Sequence, residues 1–87
     1  MRVTNMTNDS GKSMPNQYIV MNKGCRYFQS YNAVIVEIDE NGDVYLDSQY
    51  WDYSKTTAKY RNKFLGLDKQ EILDRVATGE IKFKNLN

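Results

Sequence analysis

The segment of residues 33–47 constrains the fold of this chain more than any other. Ala33–Ile38 is rich in β-branched side chains, which are stiff and suit a pleated sheet. Asn41 and Gly42 follow, a pair that tolerates the positive φ of both central residues of a type I′ turn. Asp43–Asp47 then alternates apolar and polar side chains. The sequence therefore predicts a β-hairpin whose first strand is central and covered on both faces.

Two shorter strands are predicted before this hairpin. Tyr18–Met21 and Cys25–Ser30 are β-type runs separated by a turn at Gly24. Residues 1–17 are polar and show no apolar periodicity, which is typical of a flexible segment. We therefore expect an N-terminal arm over residues 1–17 and one domain over residues 18–87.

Capping signals predict a first helix after the hairpin. Ser54 or Thr56 can cap its N-terminus, and it runs to about Leu65 before Gly66 ends it. An aromatic stripe on this helix faces the core, while lysines four residues apart form a stripe on the opposite side.

A second helix and a short strand complete the prediction. Asp68 and Glu71 have the spacing of a capping box, and Gly79 ends this helix. Lysines then alternate with Ile81 and Phe83, as in a protected edge strand. The fold class predicted is α+β, with a four-stranded antiparallel meander, two helices and a short C-terminal strand. The predicted core contains Ile19, Val34, Val36, Ile38, Val44, Leu46, Tyr60, Phe64, Ile72, Leu73, Val76 and Phe83.

Composition excludes several function classes. The 87 residues have no run long and apolar enough to span a membrane, and the N-terminus lacks the apolar stretch of a secretory signal. With one Cys and no His, neither an internal disulfide nor a Cys–His zinc site is expected. Because most proton-transfer sites use His, we expect no enzyme, no cofactor and no metal. The single Cys and the missing secretory signal favour a reducing cytoplasm.

The near-neutral total of 12 bases and 11 acids conceals two segregated stretches. The first stretch, from residue 37 to 52, has acids and no base, and it predicts an acidic binding face of Glu37, Asp39, Glu40, Asp43, Asp47 and Asp52. The second, from residue 53 to 63, has bases and no acid, and it predicts a basic binding face of Lys55, Lys59, Arg61 and Lys63.

Three interpretations of these charges remain open. The first is that both stretches are only solvated surface. The second is that the basic helix lies along phosphates while nearby aromatic rings stack on unpaired bases. The aromatic contacts predicted for this case are Tyr31, Tyr50, Trp51 and Tyr53, although core packing also explains such rings. The third is that the acidic strip imitates a phosphate backbone in the groove of a protein.

Several runs carry a resemblance to a known group of proteins. Residues 27–32 (YFQSYN), 34–36 (VIV), 51–57 (WDYSKTT) and 59–66 (KYRNKFLG) resemble a family of small uncharacterised proteins. Members occur in bacteriophages, plasmids and conjugative elements of Gram-positive bacteria. The resemblance covers about residues 26–87 and leaves the arm outside. It implies a mobile-element protein in the cytoplasm of a bacterial host cell and transfers no catalytic residue.

Taken together, these features predict a small non-enzymatic binding protein of phage or mobile-element origin. Its expected partner is a host protein or nucleoprotein complex, which it engages as an anti-defence inhibitor of the anti-CRISPR type. One alternative is a regulator of element genes that binds RNA or DNA directly. Another is a structural homo-oligomer, so a monomer and a homodimer both remain open, and no membrane partner is expected.

Overall fold

A six-stranded, mostly antiparallel sheet with two helices makes up the α+β fold in the computed structural model, which describes residues 1–87. The elements in chain order are β1 (Arg2–Thr7), β2 (Ser13–Asn22), β3 (Cys25–Ser30), β4 (Ala33–Ile38), β5 (Val44–Asp47), α1 (Lys55–Leu65), α2 (Lys69–Thr78) and β6 (Ile81–Lys84). The strands lie in the sheet in chain order. Every neighbouring pair is antiparallel except β5 and β6, which are parallel because the two helices intervene between them.

The prediction of a flexible arm over residues 1–17 is wrong. β1 pairs with β2, and β2 begins at Ser13 rather than Tyr18. The connecting loop is closed by Asn8, whose side-chain Oδ1 accepts hydrogen bonds from the backbone N–H groups of Ser10 and Lys12. The prediction took polar composition as a sign of flexibility. A polar segment can nevertheless form an edge strand, because backbone hydrogen bonds hold such a strand and it needs almost no apolar face. Met6 is the one buried residue of β1.

The predicted hairpin between β4 and β5 is confirmed, but its turn is not of type I′. The carbonyl of Asp39 accepts a hydrogen bond from the N–H of Gly42, and only Gly42 among the loop residues has positive φ, at 84°. This is a three-residue loop that ends in a left-handed glycine. The Asp39 side chain fixes it by accepting from the N–H groups of Asn41 and Asp43.

The predicted helix ends are confirmed. The side chain of Ser54 accepts a hydrogen bond from the N–H of Thr57 at the start of α1, and Gly66 adopts the left-handed conformation at its end. Asp68 and Glu71 form the predicted capping box at the start of α2. The chain therefore marks its helix boundaries through local hydrogen-bonding chemistry.

A β-bulge changes which residues of β4 face the core. Phe28 of β3 pairs with Val36, and the next residue, Gln29, pairs with Val34, so Ile35 is an extra residue. Two successive residues, Ile35 and Val36, are consequently both fully buried. The predicted alternation placed Val34 in the core, but Val34 shares a face with Gln29 and is only half-buried.

Both helices pack on the same face of the sheet, here called the covered face. The Thr57 hydroxyl of α1 hydrogen-bonds that of Ser30 at 2.8 Å, and the ring of Phe64 stacks on Phe28 at 6.0 Å between centroids. The predicted core residues Leu73 and Phe83 are wrong, because they are 37% and 45% exposed. The buried core is Met6, Phe28, Ile35, Val36, Leu46, Tyr60, Ile72 and Ile81. Neither helix is long and apolar enough to cross a membrane.

Candidate functional site

The predicted acidic face does not exist as one surface, because its most buried members serve the fold. Asp47 is 1% exposed and accepts hydrogen bonds from the backbone N–H groups of Gln49, Tyr50 and Leu86 at 3.1, 2.8 and 2.8 Å. Burial of Asp47 opposes ionisation, but these hydrogen bonds outweigh it and lower the pKa of the carboxyl group. Asp47 therefore joins the end of β5 to the C-terminal residues.

A second acid of that stretch is bound to a residue of the predicted basic face. Asp52 accepts from the Nη1 of Arg61 at 2.8 Å and from the Nζ of Lys69 at 2.6 Å. Desolvation raises the pKa of Asp52, but the two cations outweigh that effect and lower it. Arg61 is completely buried, donates to the carbonyl of Trp51 and lies 5.2 Å from its ring centroid. The structure thus contradicts the placement of Arg61 on an exposed basic face.

The remaining acids lie at the β4–β5 turn and within the sheet. Asp39 closes the turn, and Glu40 accepts a hydrogen bond from the Sγ of Cys25 at 3.2 Å, which lowers the pKa of Glu40. Asp43 is exposed. Glu37 is 9% exposed and forms an ion pair with Lys84 of β6 at 3.1 Å. The acid stretch therefore divides among four separate environments.

The lysines of α1 are exposed as predicted, but two of them contact the β1–β2 hairpin. Lys59 pairs with Asp9 at 3.6 Å, and the Nζ of Lys63 donates to the carbonyl of Thr7. Lys55 makes no ion pair. The basic stripe thus helps to hold the segment that was predicted to be a free arm.

The predicted aromatic contacts separate into a cluster and a packed ring. Tyr31, Tyr50 and Tyr53 line one depression of about 340 Å³, in which the rings of Tyr50 and Tyr53 meet edge to face at 5.7 Å. Trp51 instead lies against Arg61 and packs edge to face with Phe83 at 5.7 Å. Three of the four predicted rings are therefore brought together, and Trp51 is part of the packing.

The face of the sheet opposite the helices has no helix or strand packed on it and is here called the uncovered face, although Leu86 of the C-terminal segment donates its N–H to Asp47 there. Cross-strand partners share a face, so the pairings assign its side chains directly. One row across the strands runs through Val3, Val20, Tyr27, Glu37, Tyr45 and Lys82. The neighbouring row runs through Asn5, Tyr18, Gln29 and Val34. Tyrosines and valines therefore form a continuous patch beside the Glu37–Lys84 ion pair.

The sequence prediction missed this patch, although it had placed several of the patch residues on strands. Tyr18, Val20 and Tyr27 were assigned to strands, but no rule told which of their two faces the helices would cover. Burial and hydrogen bonding to the neighbouring Cys25 and Glu37 groups raise the pKa of the Tyr27 phenol to about 12.

Backbone strain marks one edge of the uncovered face. Tyr31 and Asn16 have φ values of 55° and 66°, which side chains other than glycine rarely adopt. The N–H of Tyr31 donates to the carbonyl of Asn16 at 2.7 Å, which holds the two strained residues together. Both line a depression of about 410 Å³ on this face, together with Val3, Tyr18 and Val20. Tyr31 also lines the depression with Tyr50 and Tyr53, so it connects the predicted cluster to the uncovered face.

These features define a small α+β protein in which two helices cover only one side of a six-stranded sheet. The chain belongs to a family of unknown function, DUF8033, whose model matches residues 1–80. The match includes residues 1–17, so the family domain takes in the segment predicted to be an arm. No curated protein and no solved structure matches the chain significantly. The mobile-element setting stays a prediction.

Proposed function

We propose that this protein acts by binding, and that it recognises a partner protein through the uncovered face of its sheet. The observation that carries the proposal is the patch of tyrosines and valines that two adjacent cross-strand rows place on a face without any covering element. Its valines and tyrosines are half-buried apart from Val3, which is 55% exposed, and contiguous apolar surface of this kind is typical of interaction sites.

The chemistry of the patch favours a protein as the partner. Tyrosine provides a wide, rigid contact area at low entropic cost, together with one hydroxyl for hydrogen bonding. The charged groups on this face include both signs, since Lys82 and Lys84 are accompanied by Glu37 and Asp47. A nearly neutral patch of this kind suits the centre of a protein interface better than a phosphate backbone.

Strain at the edge of the patch supports the same assignment. Tyr31 is 48% exposed and is held in a left-handed conformation that costs free energy. Residues in such conformations cluster at binding sites, where the strain fixes a side chain in the orientation that a partner needs. Tyr31 stands between the uncovered face and the Tyr50–Tyr53 pair, and it extends the contact surface towards them.

The setting we propose is a host nucleoprotein machine that the protein inhibits as a mobile-element product. This part of the proposal is supported by the resemblance of residues 26–87 to proteins of phages, plasmids and conjugative elements. The predicted acidic imitation of a phosphate backbone is not part of it, since Asp47 and Asp52 are engaged within the fold.

Site-specific crosslinking in living bacterial cells tests the proposal. The photoreactive residue p-benzoylphenylalanine is placed at Val20, in the middle of the uncovered face, and separately at Leu73, which is exposed on the outer side of α2. We expect one discrete adduct from position 20 that is absent from position 73, with its protein identified by mass spectrometry. The same adducts from both positions, or no adduct from position 20, would contradict the proposal. An adduct with a second copy of this chain would favour the homo-oligomer instead.

A further inference from the structure

The positive charges of the molecule are unevenly neutralised. Five of the twelve Lys and Arg side chains pair with a carboxylate: Lys59, Arg61, Lys69, Arg75 and Lys84. Seven have no such partner: Arg2, Lys12, Lys23, Arg26, Lys55, Lys63 and Lys82. Four of these seven, Arg2, Lys23, Arg26 and Lys63, line two neighbouring depressions.

Strand pairing brings the two unpaired arginines into one row. Arg2 pairs with Met21, and Met21 pairs with Arg26, so all three share a face. That face is the covered one, because the guanidinium carbon of Arg26 lies 5.7 Å from the ring centroid of Phe64 in α1. Neighbouring strands are about 4.8 Å apart, which separates the Cα atoms of Arg2 and Arg26 by about 10 Å.

Two adjoining depressions join these arginines to two lysines. One, of about 390 Å³, is lined by Arg2, Lys23 and Arg26, with Met21 among its apolar walls. The other, of about 300 Å³, is lined by Arg26 and Lys63. Arg26 belongs to both, so the four cations border two depressions that meet at Arg26. This surface, formed by Arg2, Lys23, Arg26 and Lys63, is here called the cationic groove.

Few carboxylates oppose this charge. Asp39 lines the first depression and accepts two backbone hydrogen bonds within the β4–β5 turn, and Glu40 accepts a hydrogen bond from Cys25 of the same lining. No carboxylate lines the second depression. Lys63 uses one N–H for the carbonyl of Thr7, which leaves two for a ligand. The four cations therefore outnumber the carboxylates beside them, and the groove carries an excess of positive charge.

The donor groups favour phosphate over carboxylate partners. Arg26 lies over the ring of Phe64, so its guanidinium group is held by an aromatic surface and can offer its N–H groups to paired oxygens. Four cations distributed over two depressions suit a ligand that repeats its charge along a chain. Phe64 is the only aromatic ring that lines the groove and Arg26 lies over it, so no free ring is offered for base stacking.

We propose that the cationic groove binds the phosphate backbone of a nucleic acid without reading its bases. This surface differs from the predicted basic face, of which it retains only Lys63. It is also separate from the uncovered face. A test of nucleic-acid binding by the groove can therefore fail or succeed independently of the proposed protein partner. With both surfaces, the protein would be able to contact the protein and the nucleic acid of one nucleoprotein complex.

Fluorescence anisotropy on the purified full-length chain tests this inference. The probes are a labelled 20-base-pair DNA duplex of random sequence and a single strand of the same length, titrated from 50 to 200 mM salt. Three to four phosphate contacts predict that log K against log salt falls for the duplex with a slope of about −3. Affinity should be equal for duplexes of unrelated sequence.

Two variants assign the binding to the groove. Arg2→Gln with Arg26→Gln should reduce the slope by about 2, since each phosphate contact contributes about 1. Lys82→Gln removes an unpaired cation from the uncovered face and should leave the slope unchanged. No binding of either probe at 50 mM salt would overturn the proposal, and so would unchanged binding by the double variant while circular dichroism shows a native fold. Equal displacement of the probe by polyglutamate of matched charge would overturn the assignment to phosphate.

Discussion

The two faces of the sheet use similar side chains for different purposes. On the covered side, Arg61 is fully buried and is fixed by Asp52 and by the carbonyl of Trp51. On the uncovered side, Lys84 remains about half exposed although it pairs with Glu37 and lies 4.8 Å from the ring centroid of Tyr45. The first charge–aromatic cluster anchors a helix, whereas the second stays accessible to a partner. Substitutions of buried residues, including Asp47 under the C-terminal segment, should therefore change stability, and substitutions of accessible residues on the uncovered face should change binding.

The largest effect is expected from Arg61→Met on the covered side. The change removes the buried partner of Asp52 and frees the carbonyl of Trp51, which should lower the free energy of unfolding by about 3 kcal/mol. Urea unfolding followed by circular dichroism measures it. The control is Lys55→Met on the exposed side of the same helix, which should stay within about 0.5 kcal/mol of the wild type. Equal effects of the two changes would contradict the assignment of Arg61 to the core.

Asp47→Asn should have the next largest effect, and that effect should depend on pH. The carboxylate accepts three backbone N–H groups, so its loss should cost about 2 kcal/mol at neutral pH. Its pKa is lowered in the folded protein. The stabilisation is therefore complete above the ordinary pKa of Asp, near pH 4, and is lost as pH falls through the lower folded value.

Urea unfolding of the wild type and of Asp47→Asn between pH 7 and pH 2 checks this sign. The difference between them should narrow only below about pH 4, because Asp52 and the other acids are common to both chains. If the difference in the free energy of unfolding stayed constant down to pH 2, the stabilisation by Asp47 would not depend on its negative charge, which would contradict this prediction.

Gln17→Leu should stabilise the protein, by about 1 kcal/mol. Gln17 is completely buried on the covered side, and neither its Nε2 nor its Oε1 has a hydrogen-bond partner. An apolar side chain of similar size removes these unsatisfied groups. The urea midpoint of Gln17→Leu should rise. Gln29→Leu on the uncovered face is the comparison and should show no such rise. A loss of stability in Gln17→Leu would indicate that the amide holds a buried water.

Local signals in the sequence were sufficient for the helix ends and the β4–β5 hairpin. Ser54, Asp68 and Glu71 make hydrogen bonds within a few residues, so their roles follow from spacing alone. The left-handed Gly66 likewise follows from its position after the apolar stripe. Such features depend on neighbours in the chain and are therefore visible before any tertiary contact is known.

The features that escaped prediction depend on distant contacts. β1 has no apolar periodicity and is recognisable only once β2 is available to pair with it. The bulge at Ile35 arises from the register between β3 and β4, which no local pattern specifies. Arg61 looks like one more base on a basic helix until Asp52 and Trp51 fold against it.

The candidate surfaces were missed for a related reason. Tyr18 and Tyr27 were placed on strands, but the side on which α1 and α2 pack decides whether they are covered. Arg2 lay in the segment taken for an arm, so its row with Arg26 was not considered. The positions of bases and acids along the chain therefore did not show which groups they would contact in the folded protein.

The affinity of Tyr18→Ala for the partner identified by crosslinking at position 20 tests the central claim most directly. Tyr18 is half-buried on the uncovered face, and isothermal titration calorimetry should show its affinity reduced at least about tenfold while the urea midpoint changes little. The control, Leu73→Ala on α2, should bind like the wild type. Unchanged affinity in Tyr18→Ala, or an equal loss in Leu73→Ala, would contradict the account that the uncovered face is the binding surface.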